Sequence, residues 1–143
     1  MKPIWIVIAN ASRARCFARP AKHADMELID EFEHPESRAR DAELASTGLG
    51  HGPGALAFTP RTDPKQKEQL RFAEELAQHL NGAVAKQSCS QIILVASNPF
   101  LGEIKSRLSD QTTQAISSTV ASDFTAFKGK QLRERIDAAL GLF

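Results

Sequence analysis

Four glycines, Gly48, Gly50, Gly52 and Gly54, fall within seven positions beside His51 in the stretch STGLGHGPGALAFTPRTDPK, residues 46–65. A loop of this kind could present backbone amides to a phosphate. The two common nucleotide cradles need more, however: a G-x-G-x-x-G step directly after a buried strand, or a glycine loop closed by lysine and serine or threonine. Here the glycines simply alternate, and neither signature follows. No nucleotide and no other cofactor is expected. The remaining chemistry of the stretch is recognition, with Phe58 able to stack on a base and Arg61 and Lys65 able to meet phosphates.

Other reactive side chains are scattered. His23, His34, His51 and His79 share no metal-site spacing, and neither Cys16 nor Cys89 has a second cysteine two to four residues away, so no metal is expected. The four histidines read as surface residues. No G-x-S-x-G elbow precedes a helix, and Ser97 stands in a helix-capping context, which leaves no serine nucleophile. Phe17, Phe100 and Trp5 could stack bases in principle, but Trp5 sits at a spacing that assigns it to the core. Asn10-Ala11-Ser12 matches a glycosylation sequon and reads instead as a turn.

The elements that must hold these residues follow from periodicity. Ile4 to Ala9 (IWIVIA) is apolar on both faces, as a central strand requires. Ala14 to Arg19 alternates, with Ala14, Cys16 and Ala18 on one face and Arg15, Phe17 and Arg19 on the other. Met26 to Phe32 alternates again, predicting Met26, Leu28 and Phe32 inward and Glu27, Glu31 and Glu33 outward. The outward arginines of the second strand would then lie beside the outward glutamates of the third.

Residues 35–64 have little periodicity beyond a possible helical turn at 39–44, and connections this long usually carry function or lack order. Asp63-Pro64-Lys65-Gln66 is a helix start, with an acidic cap and proline in the first turn. Leu70, Ala73, Leu76, Ala77, Leu80 and Val84 form the buried stripe of that helix, leaving Lys67, Glu68, Glu74, Glu75 and Gln78 to water. Gln91 to Ala96 (QIILVA) reads as a buried parallel strand. Asn98-Pro99 repeats the capping device before a helix carrying Leu101, Ile104 and Leu108. Ala115 to Ala121 is a weaker strand, and a last helix carries Leu132, Ile136, Ala139 and Leu140 before a stop at Gly141.

Three strands in a meander, then helix, strand, helix, strand, helix, predict an α/β protein with a mixed five-stranded sheet covered on both faces, the order of the ribonuclease H-like fold. The whole of residues 1–143 is expected to be a single domain with a long Gly-rich loop at about 44–62. A nuclease of that fold needs carboxylates at the ends of its first and fourth strands to hold two metal ions. Ala9-Asn10 and Ser97-Asn98 stand there, and neutral amides and hydroxyls cannot offset two divalent cations.

Composition narrows the partners. The chain has 143 residues, 42% of them hydrophobic, and a formal net charge of +1. Met1 to Ala24 holds five basic residues and no acid, whereas Asp25 to Ala45 holds eight acids against two arginines. The two segments nearly cancel, and neither alone argues for nucleic acid or a membrane. The longest apolar runs are too short to cross a bilayer as helices. The N-terminus has no secretory pattern, so a cytosolic location is expected.

The runs WIVIANASRARCF, TPRTDPKQKEQLRFAEELAQHL and LVASNPFLGEIKSRLS resemble the bacterial host attachment protein family, described as required for attachment to host cells. The resemblance spans nearly the whole chain, with Arg61-Thr62-Asp63-Pro64 and Phe100-Leu101-Gly102 its most specific parts. In relatives the last helix tends to start with a serine or threonine cap, whereas here Phe127-Lys128-Gly129-Lys130 precedes it. The family in turn looks like a small relative of the middle domain of archaeal and eukaryotic peptide-chain release factors. In those proteins a loop ending in Gly-Gly-Gln precedes a Leu-Arg-Phe-Ala helix and reaches the peptidyl transferase centre. Gly50-His51-Gly52-Pro53-Gly54 stands in the matching place before Leu70-Arg71-Phe72-Ala73.

The hydrolytic element does not carry over. Gly52-Pro53-Gly54-Ala55 replaces Gly-Gly-Gln, and Pro53 removes an amide donor. The resemblance therefore implies a non-enzymatic binding module, a cytosolic ribosome- or RNA-associated factor without a membrane partner. Its contacts would be Gly50, His51, Gly52, Gly54, Phe58, Arg61 and Lys65. The alternative takes the family description literally: a surface or accessory factor in attachment to host cells.

Overall fold

The run IWIVIA is apolar on both faces because the strand it forms, β1 (Ile4–Ala9), is buried along its whole length at the centre of the sheet. A computed structural model describes residues 2–21, 24–33 and 64–141. β2 (Arg13–Arg19) pairs antiparallel with β1, and β3 (Glu27–Glu33) pairs antiparallel with β2. On the other side β4 (Gln91–Ala96) and β5 (Ile116–Val120) run parallel to β1, giving the order β3-β2-β1-β4-β5. This is the mixed five-stranded sheet expected from the sequence.

One face of the sheet is covered by α1 (Pro64–Ala85) and α2 (Phe100–Lys105). There Trp5, Val7, Cys16 and Leu94 meet Phe72, Leu76, Leu80, Phe100 and Ile104. The other face is covered by α4 (Gly129–Ala139), whose Leu132 and Ile136 seat on Ile4, Ile6, Ile8 and Val95. Each of these fully buried aliphatic side chains contributes about 1.5–3 kcal/mol of transfer free energy. Gly141 stops the last helix with a φ of 73°, a left-handed conformation that a glycine adopts without a Cβ clash.

The connection from β4 to β5 differs from the single helix expected. It holds two short helices, α2 and α3 (Asp110–Ala115), because Ser109 breaks the run and caps the second by accepting the Thr112 amide. Asn98 makes no side-chain cap; Pro99 occupies the cap position of α2. The expected Asp63 cap of α1 lies outside the described residues.

Three burial expectations are overturned. A bulge shifts the β2–β3 register between Cys16 and Phe17, so that Cys16 opposes Asp30 and Phe17 opposes Leu28. One extra residue moves the following side chains to the opposite face. Phe32 consequently packs under α1 and Met26 on the α4 face, while Leu28 is 48% exposed. Glu68, placed towards water by the helical stripe, is only 3% exposed and lies 3.4 Å from Arg71. Ala139, counted in the last stripe, is exposed.

The arginines of β2 are not outward either. They share the face covered by α4 and the 121–128 segment, and Arg19 is 2% exposed. The register does place Arg13 opposite Glu33 and Arg15 opposite Glu31, but among the described residues both arginines donate to backbone carbonyls instead.

Candidate functional site

In open α/β sheets, ligands meet the carboxyl ends of the parallel strands, where loops diverge. In this protein that edge is formed by Asn10 after β1, Ser97-Asn98 after β4 and the 121–128 segment after β5. Asn10 is its hub. Its Oδ1 accepts the amides of Ser12 (2.8 Å) and Arg13 (3.0 Å), the tight turn anticipated for Asn-Ala-Ser. With Oδ1 thus committed, Nδ2 donates to Thr125 Oγ1 (3.1 Å) and Asp123 Oδ2 (3.4 Å).

Asp123 completes the network. Its Oδ1 accepts the Thr125 amide (2.9 Å) and the Thr125 hydroxyl (2.6 Å). Partial burial pushes its carboxyl pKa up, but hydrogen bonds from Thr125 and Asn10 and the charge of Arg13 outweigh that and hold it below the usual range. A carboxylate so held stays ionised near neutrality and is a poor general acid. Arg13 Nη2 donates to Thr125 O (3.1 Å), and Arg15 Nη2 donates to Thr125 O (2.9 Å) and Phe127 O (2.8 Å). Burial and the neighbouring charge of Arg13 lower the Arg15 pKa, opposed by Glu31.

Among the described residues the network holds one ionised carboxylate, and the neutral residues expected at the ends of β1 and β4 stand there. Among the described residues no group of three His, Cys, Asp or Glu side chains could hold a metal ion. What the network does is lock the 121–128 segment onto β1 and β2. Asp123, Thr125, Arg13 and Arg15 were not singled out by sequence reasoning. The signal that could have found them is Asp123-Phe124-Thr125, an aspartate whose side chain meets the backbone two residues on.

The same edge receives the ends of the two described elements that flank residues 34–63, the span that includes the Gly-rich loop. β3 ends at Glu33, opposite Arg13 and so beside Asn10. α1 begins at Pro64, and its first half lies over the carboxyl end of β4, since Phe72 stacks on Phe100 with ring centroids 5.7 Å apart. The exposed Lys67 and Arg71 flank that start. Of the residues assigned to partner binding, Gly50, His51, Gly52, Gly54, Phe58 and Arg61 lie outside the described residues. Lys65 is the second residue of α1, and its side chain is not described. Phe17, Phe100 and Trp5, the other possible stacking residues, are buried in the two cores.

His79 corrects the reading of four surface histidines. Its ring stacks on Trp5 (5.7 Å between centroids) and meets the edge of Phe32 (4.9 Å). His23, His34 and His51 lie outside the described residues. Cys16 and Cys89 are free and buried, and burial, with the nearby Asp30 charge, pushes the Cys16 thiol up to about 12. No described helix is long and apolar enough to cross a membrane.

Comparison with known structures supports the fold. An archaeal protein aligns over 97% of this chain and 34% of its own length, with 17% identity and a TM-score of 0.50. The archaeal translation termination factor aRF1 aligns over 96% of this chain and 34% of its own, with 16% identity and a TM-score of 0.53. The chain thus spans about a third of the length of these structures, and at such identities the likeness is one of fold. No curated protein matched the sequence significantly. The family described as "Protein required for attachment to host cells" matches residues 5–136, nearly the whole chain, and the protein belongs to that family.

Proposed function

We propose that the protein is a non-enzymatic binding module of the cytosol that associates with the ribosome, or with RNA, through its Gly-rich segment. One observation carries the reading. Both attachment points of residues 34–63, Glu33 and Pro64, open at the sheet edge where α/β folds bind partners, next to Lys65, Lys67 and Arg71. The fold shared with a translation termination factor supports a partner in the translation machinery. Glycine permits the close backbone approach that a narrow partner groove needs, while Phe58 and Arg61 supply stacking and phosphate contact. Pro53 and Ala55 stand where a hydrolytic Gly-Gly-Gln would be required, which favours binding over catalysis.

The test is co-sedimentation of purified protein with ribosomes and with protein-free ribosomal RNA on sucrose gradients, at low and moderate salt. Wild type should co-sediment, more weakly as salt rises. A variant lacking residues 48–54, and the double variant Arg61→Ala, Lys65→Ala, should lose the association while keeping wild-type circular dichroism. Equal binding by the folded deletion variant would remove the segment from the mechanism. The family description favours a second reading, a direct role in attachment to host cells. Detection of the protein on the surface of intact cells would support it over the cytosolic one.

A further inference from the structure

The edge strand β3 has a peculiar burial pattern. Glu27, Leu28, Ile29, Glu31 and Glu33 are all exposed, and only Asp30 and Phe32 are partly buried. Both of those residues meet one side chain, His79 of α1. Phe32 presents its edge to the imidazole at 4.9 Å, and Asp30 Oδ2 lies 3.2 Å from His79 Nε2. Below, the imidazole lies nearly parallel to Trp5 of β1, with 24° between planes. His79 therefore joins the helix, the central strand and the edge strand at one point.

We infer that the His79–Asp30 pair is a proton-sensitive clasp that holds the edge strand β3 against α1. His79 Nε2 is buried, and its contact with Asp30 lacks hydrogen-bond geometry. Such a contact is held by charge rather than by direction, and an imidazole supplies the charge only with both nitrogens protonated. Among the described residues the groups facing it are few. Asp30 comes from β3; Cys16 of β2, opposite Asp30, keeps its proton because its thiol is pushed up to about 12; Trp5 of β1 and Phe32 are uncharged. On α1 itself the exposed Glu75 lies four residues earlier and adds to the negative potential.

The direction follows. With both imidazole nitrogens protonated the pair is ionic and the clasp is closed. When the imidazole loses one of those protons the attraction fades, and β3 is held by its ladder to β2 and the Phe32 contact. Positioning is the role assigned to His79; no reacting group is involved.

Hydrogen exchange of the full-length protein between pH 5.5 and 8, corrected for intrinsic rates, tests this. Protection of β3 amides, relative to β1 and β4 amides, should fall about two- to fivefold across that interval, the effect of one partly exposed ion pair. Asp30→Asn keeps the shape and removes the charge, and should abolish that pH dependence. His79→Gln should do the same and also lower β3 protection at every pH, since the stacking on Trp5 is lost. A flat wild-type profile, or a pH dependence that persists in Asp30→Asn, would overturn the inference.

Discussion

Arg19 offers the sharpest energetic test of this fold. It closes β2 beneath α4 and is 2% exposed. Its Nε donates to Ala24 O (2.7 Å), and its two terminal nitrogens fork onto Asp137 Oδ1 (2.7 Å) and Oδ2 (3.2 Å). Replacing Asp137 by alanine leaves a buried guanidinium without its counter-ion, and breaking a buried pair in this way costs about 3–5 kcal/mol. Against a total stability of about 5–15 kcal/mol for a domain this is a large fraction. The midpoint of thermal unfolding should drop by roughly 10 °C or more. The companion double variant Arg19→Met, Asp137→Leu removes both charges and keeps similar volume, so it should recover most of the loss. Urea unfolding followed by circular dichroism at pH 7 measures all three proteins. A cost below about 1 kcal/mol for Asp137→Ala, or a double variant no better than the single one, would refute the argument that desolvated charge sets the magnitude.

Four further outcomes are expected. Arg133 also pairs with an aspartate, Asp25, but that carboxylate is 91% exposed, so Asp25→Ala should cost less than about 1 kcal/mol in the same assay. Because the Asp123 carboxyl is held below its ordinary range, its contribution is present above about pH 4 and lost as pH falls through the lowered value. The gap in urea midpoint between wild type and Asp123→Asn should therefore be widest at pH 7 and narrow as pH falls below about 4. Cys16, with its thiol pushed up to about 12 and its side chain buried, should resist Ellman's reagent at pH 8 until the protein is unfolded in urea. Leu80→Ala in α1 should cost about 2–5 kcal/mol, read as a shift of urea midpoint at constant slope.

Much of this protein was legible one residue at a time. The strand periods of IWIVIA and QIILVA, the stripe from Leu70 to Val84 and the stop at Gly141 each follow from local geometry, and the structure repeats them. The order of those elements was enough to set the sheet topology, because short right-handed connections leave few alternatives. The neutral residues at the ends of β1 and β4 were equally readable, since strand ends follow from the same pattern.

What stayed hidden depended on partners distant in sequence. Alternation puts Leu28 inward because it assumes an unbroken ladder; the bulge in the pairing with β2 breaks that ladder, and Leu28 on the edge strand is 48% exposed. Glu68 and Arg19 looked like solvated charges because their residue types favour water; a carboxylate 118 positions away makes the burial of Arg19 tolerable. Asp123 and Thr125 became a site element only when the fold brought them to Asn10, 113 and 115 residues earlier. His79 carries no local sign of its role, since Trp5, Asp30 and Phe32 reach it from two strands. Periodicity reports which face a side chain takes, and that is a property of the chain's own geometry. Which charge it meets there is decided by tertiary packing, because desolvated polar groups are stable only beside partners that the sequence keeps far apart.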